Sequence, residues 1–206
     1  MMKKLAVFLR AIAAGVMISI GGAVYLSCDN KYVGALAFCV GLISVVLFKM
    51  ELYTGKVGYI VTEKPPFIVD TLISIPGNLV GCAIVGLVCP PFGSAETVCA
   101  AKLLKSPMRV FADAALCGLL IYVCVEIWKR HKKLIGIVFC VPAFILCGFE
   151  HSIADMFYFF NGRSFSVPSL LFILIVVAGN AFGAVFFHSL LTLAGKLDFK
   201  SKPEKE

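Results

Sequence analysis

The residues best suited to chemistry in this chain are Glu150, His151 and Asp155, which lie close together in a long apolar region. The sequence before them, from Leu134 to Cys147, carries no charge, and the sequence after them continues with Phe157 and further aromatic residues. Ionisable groups inside a membrane segment cost roughly 2.5–3.5 kcal/mol each, so they indicate function by default. Histidine titrates near physiological pH and can donate a hydrogen bond or a proton. These three residues are therefore a candidate functional site.

The composition is that of an integral membrane protein. Of the 206 residues, 60% are hydrophobic and only 15% are charged, whereas about a quarter of the residues are charged in soluble domains. The length allows about six spans of roughly 20 residues and leaves no soluble domain. The net charge of +7 does not indicate a nucleic-acid partner, because the basic residues lie at the ends of apolar segments, where they act as orientation signals.

Metal, cofactor and enzymatic chemistry find little support in the sequence. None of the nine cysteines forms a Cys-x-x-Cys pair, and most lie within apolar runs, which favours buried packing. We therefore predict no metal and no cofactor. His151 and Asp155 have the spacing of an acid–base pair on a helix, but no nucleophile or cofactor motif accompanies them, so we predict that the protein is not an enzyme. A non-conducting membrane scaffold is a third hypothesis, which the buried polar loops disfavour.

The hydropathy pattern predicts six membrane-spanning helices. The predicted spans cover residues 5–26, 32–48, 67–88, 110–128, 134–160 and 168–193. Basic residues concentrate on the side that carries the N-terminus, which places both termini in the cytoplasm and the protein in the cell (inner or plasma) membrane. Polar residues interrupt the fifth span. Polar residues 49–56 after the second span are either an interruption followed by a short half-helix or a simple loop, and the spacing leaves both open.

The two halves of the chain, about residues 1–93 and 94–206, repeat one pattern. A polar segment that begins with Glu51 precedes Asn78 in a Gly-Asn-x-x-Gly motif, and a polar segment that contains Glu150 precedes Asn180 in a second such motif. Three spans in each half would make the second half run opposite to the first. Inverted repeats with a broken helix in each half are typical of transport proteins, whose path lies between the halves. We therefore predict an all-α membrane domain of six helices in two inverted three-helix repeats, with helices two and five broken.

Four motifs together resemble those of the formate/nitrite transporter family, which comprises pentameric anion channels. Residues 148–157, Gly-Phe-Glu-His-Ser-Ile-Ala-Asp-Met-Phe, are similar to the family's signature in span five. Residues 51–55 resemble its loop after span two, and residues 77–81 and 179–180 resemble its motifs in spans three and six. The resemblance covers nearly the whole chain. It implies an aquaporin-like protomer, one pore in each protomer, and a homopentamer in the lipid bilayer.

The resemblance also implies roles for individual residues. His151 would be the central pore histidine, Thr54 the threonine beside it, and Asn180 the pore-side asparagine of span six. Lys102 would be the vestibule lysine, with Lys105 as the alternative.

Further residues would shape the path or support it. The outer and inner constrictions implied by the resemblance are formed by Phe38 and Phe144, and by Leu42 and Leu52. The supporting residues are Glu51, Glu150 and Asn78; we expect Glu150 to point away from the pore and bond backbone, and Asn78 to serve helix packing. Gly118 departs from the family pattern, which has asparagine there, so a hydrogen-bond partner of the pore is expected to be missing.

The resemblance and the chemistry together predict a channel for small monovalent anions of weak acids, with formate or nitrite as the leading substrates. An unpaired anion cannot lose its water at an apolar constriction without a large cost. Lys102 would concentrate anions by its positive potential, and His151 would then donate a hydrogen bond or a proton. We expect proton coupling at low pH. Hydrosulfide is the alternative substrate within the family.

Overall fold

The computed structural model describes residues 2–201, and side chains for residues 2–196, and this part of the chain consists of helices and short connections without a strand. The α-helices, in chain order, are α1 (Met2–Ser27), α2 (Lys31–Ala37), α3 (Cys39–Leu47), α4 (Tyr53–Lys56), α5 (Pro65–Val88), α6 (Ala95–Leu103), α7 (Pro107–His131), α8 (Ile135–Leu146), α9 (Ser152–Asn161) and α10 (Val167–Ser201), with a 3₁₀ turn at Val57–Tyr59. The end of the predicted basic tail, residues 202–206, lies outside the described residues.

Local sequence signals explain where several of these helices begin. Prolines occupy the first turns of α5 and α7. The N–H groups of a first turn have no hydrogen-bond acceptor within the helix, so proline, which lacks an N–H, costs nothing there. The side chain of Asn30 accepts hydrogen bonds from the first N–H groups of α2, and Ser106 accepts one from Arg109 at the start of α7. These caps fix the helix ends that face water.

Four of the helices are long and apolar enough to cross a membrane, namely α1, α5, α7 and the Val167–Lys196 part of α10. The second and fifth predicted spans correspond to shorter apolar helices, which cover Lys31–Leu47 and Ile135–Leu146. The prediction of an all-α membrane fold is confirmed at this level, whereas the count of six spans stays a prediction.

The helices α3 and α8 end in the same kind of turn. Lys49 and Gly148 adopt positive φ angles of 53° and 69°, and the next N–H, of Met50 or Phe149, bonds a carbonyl of the preceding helix at 2.9 Å in both turns. Such left-handed turns are a common way to end a helix and to satisfy its last carbonyl groups. In both places the chain then runs without helix until the short helix α4 or α9 begins.

Two pairs of long helices, α1 with α5 and α7 with α10, pack so closely that backbone touches backbone. A Cβ atom on Gly15 would overlap the carbonyl oxygen of Asn78, and one on Gly118 would overlap the carbonyl oxygen of Asn180. Small residues permit this approach between helices in a membrane. Gly118, which departs from the expected asparagine, therefore holds α7 against α10, and both motif asparagines are brought to the centre of the fold.

Candidate functional site

The site is built around His151, which lies immediately before α9 and is held in place from both sides by Asn180. The amide nitrogen of Asn180 donates to the carbonyl of Glu150 at 2.8 Å, and its amide oxygen accepts from the N–H of Ser152 at 2.9 Å. A second donation, to the carbonyl of Ala114 at 2.8 Å, ties this arrangement to α7. Asn180 is fully buried. Backbone carbonyls accept hydrogen bonds from its amide nitrogen in both directions. Asn180 therefore has no free N–H for the predicted contact with a passing anion.

Asn78 makes the same arrangement in the first half of the chain. Its amide nitrogen donates to the carbonyls of Ala11 at 2.8 Å and Glu51 at 2.9 Å, and its amide oxygen accepts from the N–H of Tyr53 at 3.0 Å. Leu52 lies between the two residues that Asn78 tethers, in the same way that His151 lies between the two residues that Asn180 tethers. One asparagine thus positions the candidate pore histidine and the other positions a predicted constriction residue.

His151 has a defined tautomer in this geometry. Its Nδ1 accepts a hydrogen bond from the N–H of Ala154 at 3.1 Å, so His151 caps the start of α9. A neutral imidazole that accepts at Nδ1 carries its proton on Nε2. Nε2 lies 3.0 Å from Oγ1 of Thr54, to which it donates. The structure therefore brings the two predicted pore residues together, with the N–H of a neutral histidine directed to the threonine.

The four predicted constriction residues are all buried close to this pair. Phe144 stacks on the imidazole of His151 with ring centroids 5.6 Å apart, and Phe38 meets Phe144 edge-on at 6.1 Å. Leu42 and Leu52 belong to the same buried core cluster. The hydrogen bond between the histidine and the threonine is therefore buried, with an apolar ring stacked on the imidazole.

Three of these apolar residues line two cavities, Phe144 the one and Leu42 and Leu52 the other. We call them the outer and the inner cavity after the constrictions that the resemblance implies. The outer cavity has a volume of about 110 Å³ and is lined by Lys102, Phe144, His151 and Asp155, among others. The inner cavity has a volume of about 390 Å³. Its wall includes Leu42, Leu52, Lys49, Glu51, Lys56, Asp70 and Lys129. His151 and Phe144 thus bound the outer cavity, whereas the two leucines bound the inner one.

A buried ion-pair network that centres on Glu150 adjoins the outer cavity, whose wall includes two of its members, Lys102 and Asp155. The carboxylate of Glu150 pairs with the ammonium of Lys102 through one oxygen, and with that of Lys105 at 2.6 Å through the other. The expectation that Glu150 bonds backbone is therefore wrong for its side chain, because its carboxylate forms ion pairs with Lys102 of α6 and with Lys105 of the α6–α7 connection. Only the carbonyl of Glu150 takes part in backbone positioning, through Asn180.

Lys102 remains a cation in this setting. Besides Glu150, it pairs with Asp155 at 2.8 Å. Lys102 lies on α6, outside the membrane-spanning helices; burial lowers the pKa of its ammonium while the carboxylates of Asp155 and Glu150 raise it, and the pKa ends above its usual value. The ammonium faces the cavity beside His151, but two carboxylates already share its charge.

The supporting residue Glu51 pairs in a similar way on the inner side. Its carboxylate lies 2.5 Å from the ammonium of Lys56 and 3.3 Å from the guanidinium of Arg10. Both motif glutamates are therefore neutralised by basic side chains.

Sequence reasoning missed the outer part of the network. Lys105 also bonds Asp113 at 2.9 Å, and Asp113 bonds Arg109 at 2.9 Å. Arg109 and Asp113 lie four residues apart on α7, and this spacing was a signal that could have been used to predict their ion pair. His151 and Asp155, weighed as an acid–base pair, do not bond each other, since His151 is engaged by Thr54 and the α9 backbone. Among the described residues no group of histidine, cysteine and carboxylate side chains could hold a metal ion.

Comparison with known proteins agrees with this architecture. A sequence profile of the formate/nitrite transporter family matches residues 1–194. Formate channel FocB of Escherichia coli (strain K12) is 25% identical in an alignment of length 187 that covers 75% of this chain and 65% of that protein. Formate channel FocA of the same strain is 29% identical in an alignment of length 195 that covers 78% of this chain and 68% of that protein. The match thus spans about two thirds of the length of these relatives.

Solved structures of similar fold cover almost the entire chain. A pentameric formate channel with formate bound has a TM-score of 0.74 at 23% identity, over 97% of this chain and 98% of that chain. An ion channel of the FNT family has a TM-score of 0.76 at 23% identity, over 93% and 89% of the two chains. At this level of identity the likeness establishes the fold.

The fold is that of a membrane protein built from apolar helices around an enclosed polar site. The match over 194 residues then gives the family: this chain belongs to the formate/nitrite transporter family.

Proposed function

We propose that this protein is a membrane channel for small monovalent anions of weak acids, with formate or nitrite as its substrate. The observation that carries this proposal is the buried hydrogen-bonded pair of His151 and Thr54, with predicted constriction residues in the walls of two cavities beside it. An anion that leaves either cavity must shed water at the apolar rings, and the pair offers the donor that can replace that water. Channel or transporter activity, rather than catalysis, also fits the relatives, which carry the names of channels and transporters.

The architecture we propose for this function has six spans in two inverted repeats, about residues 1–93 and 94–206. The matching tethers made by Asn78 and Asn180, and the matching turns at Lys49 and Gly148, support the repeat. In this arrangement the second and fifth spans are interrupted at membrane depth, which is tolerated where the irregular backbone is buried in protein or lines a cavity. We further propose a homopentamer in the cell membrane with both termini cytoplasmic; one structural relative is a pentameric channel.

Transport would proceed in three stages. Anions would enter the outer cavity under the positive potential of Lys102 and the adjacent Lys105. At the apolar rings, His151 would turn its Nε2–H from Thr54 to the anion, and the threonine hydroxyl would offer a second donor. The anion would then pass Leu42 and Leu52 into the larger inner cavity.

We also propose that transport is coupled to protons at low pH. For His151 to give up a proton, its imidazole must first become doubly protonated, which requires Nδ1 to release the N–H of Ala154. In its resting tautomer His151 is arranged to donate a hydrogen bond. Coupling through His151 therefore involves the loss of the α9 cap.

The choice of anion is open to a direct experiment. The purified protein would be placed in liposomes, and the influx of formate, nitrite and hydrosulfide would be measured in parallel with protein-free liposomes and in pairwise competition. We expect saturable flux for at least one of these anions, and the highest affinity in competition identifies the substrate. If none of them crosses faster than in protein-free liposomes, the proposed function is wrong.

A further inference from the structure

Six charged side chains beside the outer cavity form a continuous series in which cations and carboxylates alternate. We call this series the charge ladder; it runs Asp155, Lys102, Glu150, Lys105, Asp113, Arg109. Successive members are in contact. The distance is 2.8 Å from Asp155 to Lys102, 2.6 Å from Glu150 to Lys105, and 2.9 Å from Asp113 to both Lys105 and Arg109. The ladder's three carboxylates are buried, whereas its three cations become more exposed along the series, from 14% for Lys102 through 27% for Lys105 to 63% for Arg109. The ladder therefore connects the buried wall of the cavity to water.

The buried end of the ladder is incompletely satisfied. Asp155 bonds Lys102 through Oδ1, but Oδ2 is buried and has no hydrogen-bond partner among the described residues. A buried carboxylate oxygen without a donor has lost its hydration without replacement, which disfavours the charged form. A proton on Oδ2 removes the negative charge and supplies a donor. Asp155 is part of the wall of the same cavity as His151, so a rotation of the protonated carboxyl would bring that donor to an anion there.

The charge count of the ladder points in the same direction. With all six groups ionised, the three cations and three carboxylates cancel, and an arriving anion finds Lys102 shared between two carboxylates. With a proton on Asp155 the ladder has a charge of +1, so that one anion restores neutrality. Proton uptake and anion uptake are thereby linked one to one.

We propose that Asp155 carries the proton in proton-coupled anion entry and so restricts transport to anions of weak acids. This inference rests on the proposed function and adds a residue to it. In the step we envisage, the O–H bond at Oδ2 of Asp155 breaks and an O–H bond forms on the anion, which becomes a neutral acid. The electron pair and negative charge stay on Asp155, which is again paired with Lys102. The neutral acid crosses the ring of Phe38 and Phe144, and Asp155 takes a new proton from the outer side.

The surroundings of Asp155 determine how readily it takes a proton. Its charged and titratable neighbours are Lys102 and Cys99 from α6, Cys117 from α7, Glu150 and His151 from the segment before α9, and Tyr158 from α9 itself, with Tyr25 from α1 across the cavity. Lys102 favours the ionised form of Asp155, whereas Glu150 and burial favour the protonated form. The same balance means that an anion held at Lys102 favours protonation of Asp155.

The test compares wild type with Asp155→Asn, which keeps the shape of the side chain and removes the titrating group. Formate influx into proteoliposomes would be measured between about pH 5 and pH 8, the range in which an unperturbed imidazole changes charge. Wild-type flux should rise on acidification, by up to about tenfold per pH unit where protonation is limiting, and should bring protons with it. In Asp155→Asn the flux should be nearly independent of pH and formate-driven proton uptake should be lost.

The control is Glu96→Gln, which removes an exposed carboxylate from the same helix as Lys102 and should behave as wild type. If Asp155→Asn retains the wild-type pH dependence, the inference is overturned while the channel function stands. If wild type conducts no anion at any pH, the proposed function itself fails.

A second variant covers the case in which Asp155→Asn does not assemble. Asp155→Glu keeps a carboxyl but displaces it from Lys102, so the pH of half-maximal flux should shift; an unchanged midpoint would count against the inference.

Discussion

The two hydrogen bonds that Asn180 makes on either side of His151 allow a quantitative prediction for Asn180→Ala. The substitution removes the donor to the carbonyl of Glu150 and the acceptor for the N–H of Ser152. Both backbone groups are then left buried without a partner. The carbonyl of Ala114 also loses a donor, but it lies within the hydrogen-bonded helix α7.

The expected cost follows from these two orphaned groups. A buried polar group without a partner costs about 1–3 kcal/mol, so the pair costs about 2–6 kcal/mol. Stabilities of folded domains are about 5–15 kcal/mol, so a loss of this size is large. Because the tethered groups flank His151, its imidazole should also lose its position relative to Thr54, and flux per folded protein should fall.

Asn161→Ala is the matched control. Asn161 is also fully buried; it accepts from the N–H of Phe92 at 3.0 Å and donates to the carbonyl of Pro90 at 3.2 Å. Its loss should cost a similar free energy of unfolding without moving His151. Thermal unfolding in detergent and formate flux normalised to folded protein would be measured for both variants. Equal flux defects in the two variants, or normal flux in Asn180→Ala, would refute the positioning role.

Three further predictions follow from the site and its packing. Thr54→Val should lower anion flux about two- to tenfold, because it removes the hydroxyl hydrogen-bonded to His151, whereas Thr54→Ser should keep most of the flux. Gly118→Ala should lower the free energy of unfolding by about 1–3 kcal/mol, because α10 backbone fills the space for a Cβ; Gly195→Ala, with open space around it, is the control for the thermal unfolding measurement. Lys102→Ala should reduce formate flux most at low formate concentration while Lys102→Arg retains it, and an unchanged concentration dependence would assign the attraction of anions to another cation.

The sequence was sufficient for the all-α membrane class and for several residues of the site. Charge within an apolar chain singled out His151, and the two Gly-Asn-x-x-Gly motifs singled out Asn78 and Asn180. Each of these signals is local, because a motif or a polar residue in an apolar run can be read without knowing what lies opposite. The pairing of His151 with Thr54 depended on the resemblance to a family, since the two are far apart in the chain.

The partners of the charged groups could not be obtained in this way. Glu150 was expected to bond backbone, yet Lys102 and Lys105 reach its carboxylate because α6 folds over the start of α9. The role of Gly118 could not be predicted either. A glycine at this position is explained only by the carbonyl of Asn180, which occupies the space that a Cβ atom would need. Asp155 had no assigned role for the same reason, as its isolated oxygen is visible only in three dimensions.

The central claim, that anions cross this protein at His151, is tested most directly by formate flux in proteoliposomes of wild type and His151→Ala. A hydrogen bond to a charged group is worth about 1.5–3 kcal/mol, so removal of the imidazole should lower the flux about tenfold or more. Both proteins would be compared at equal amounts of folded, assembled protein. Flux in His151→Ala equal to that of wild type would contradict the account.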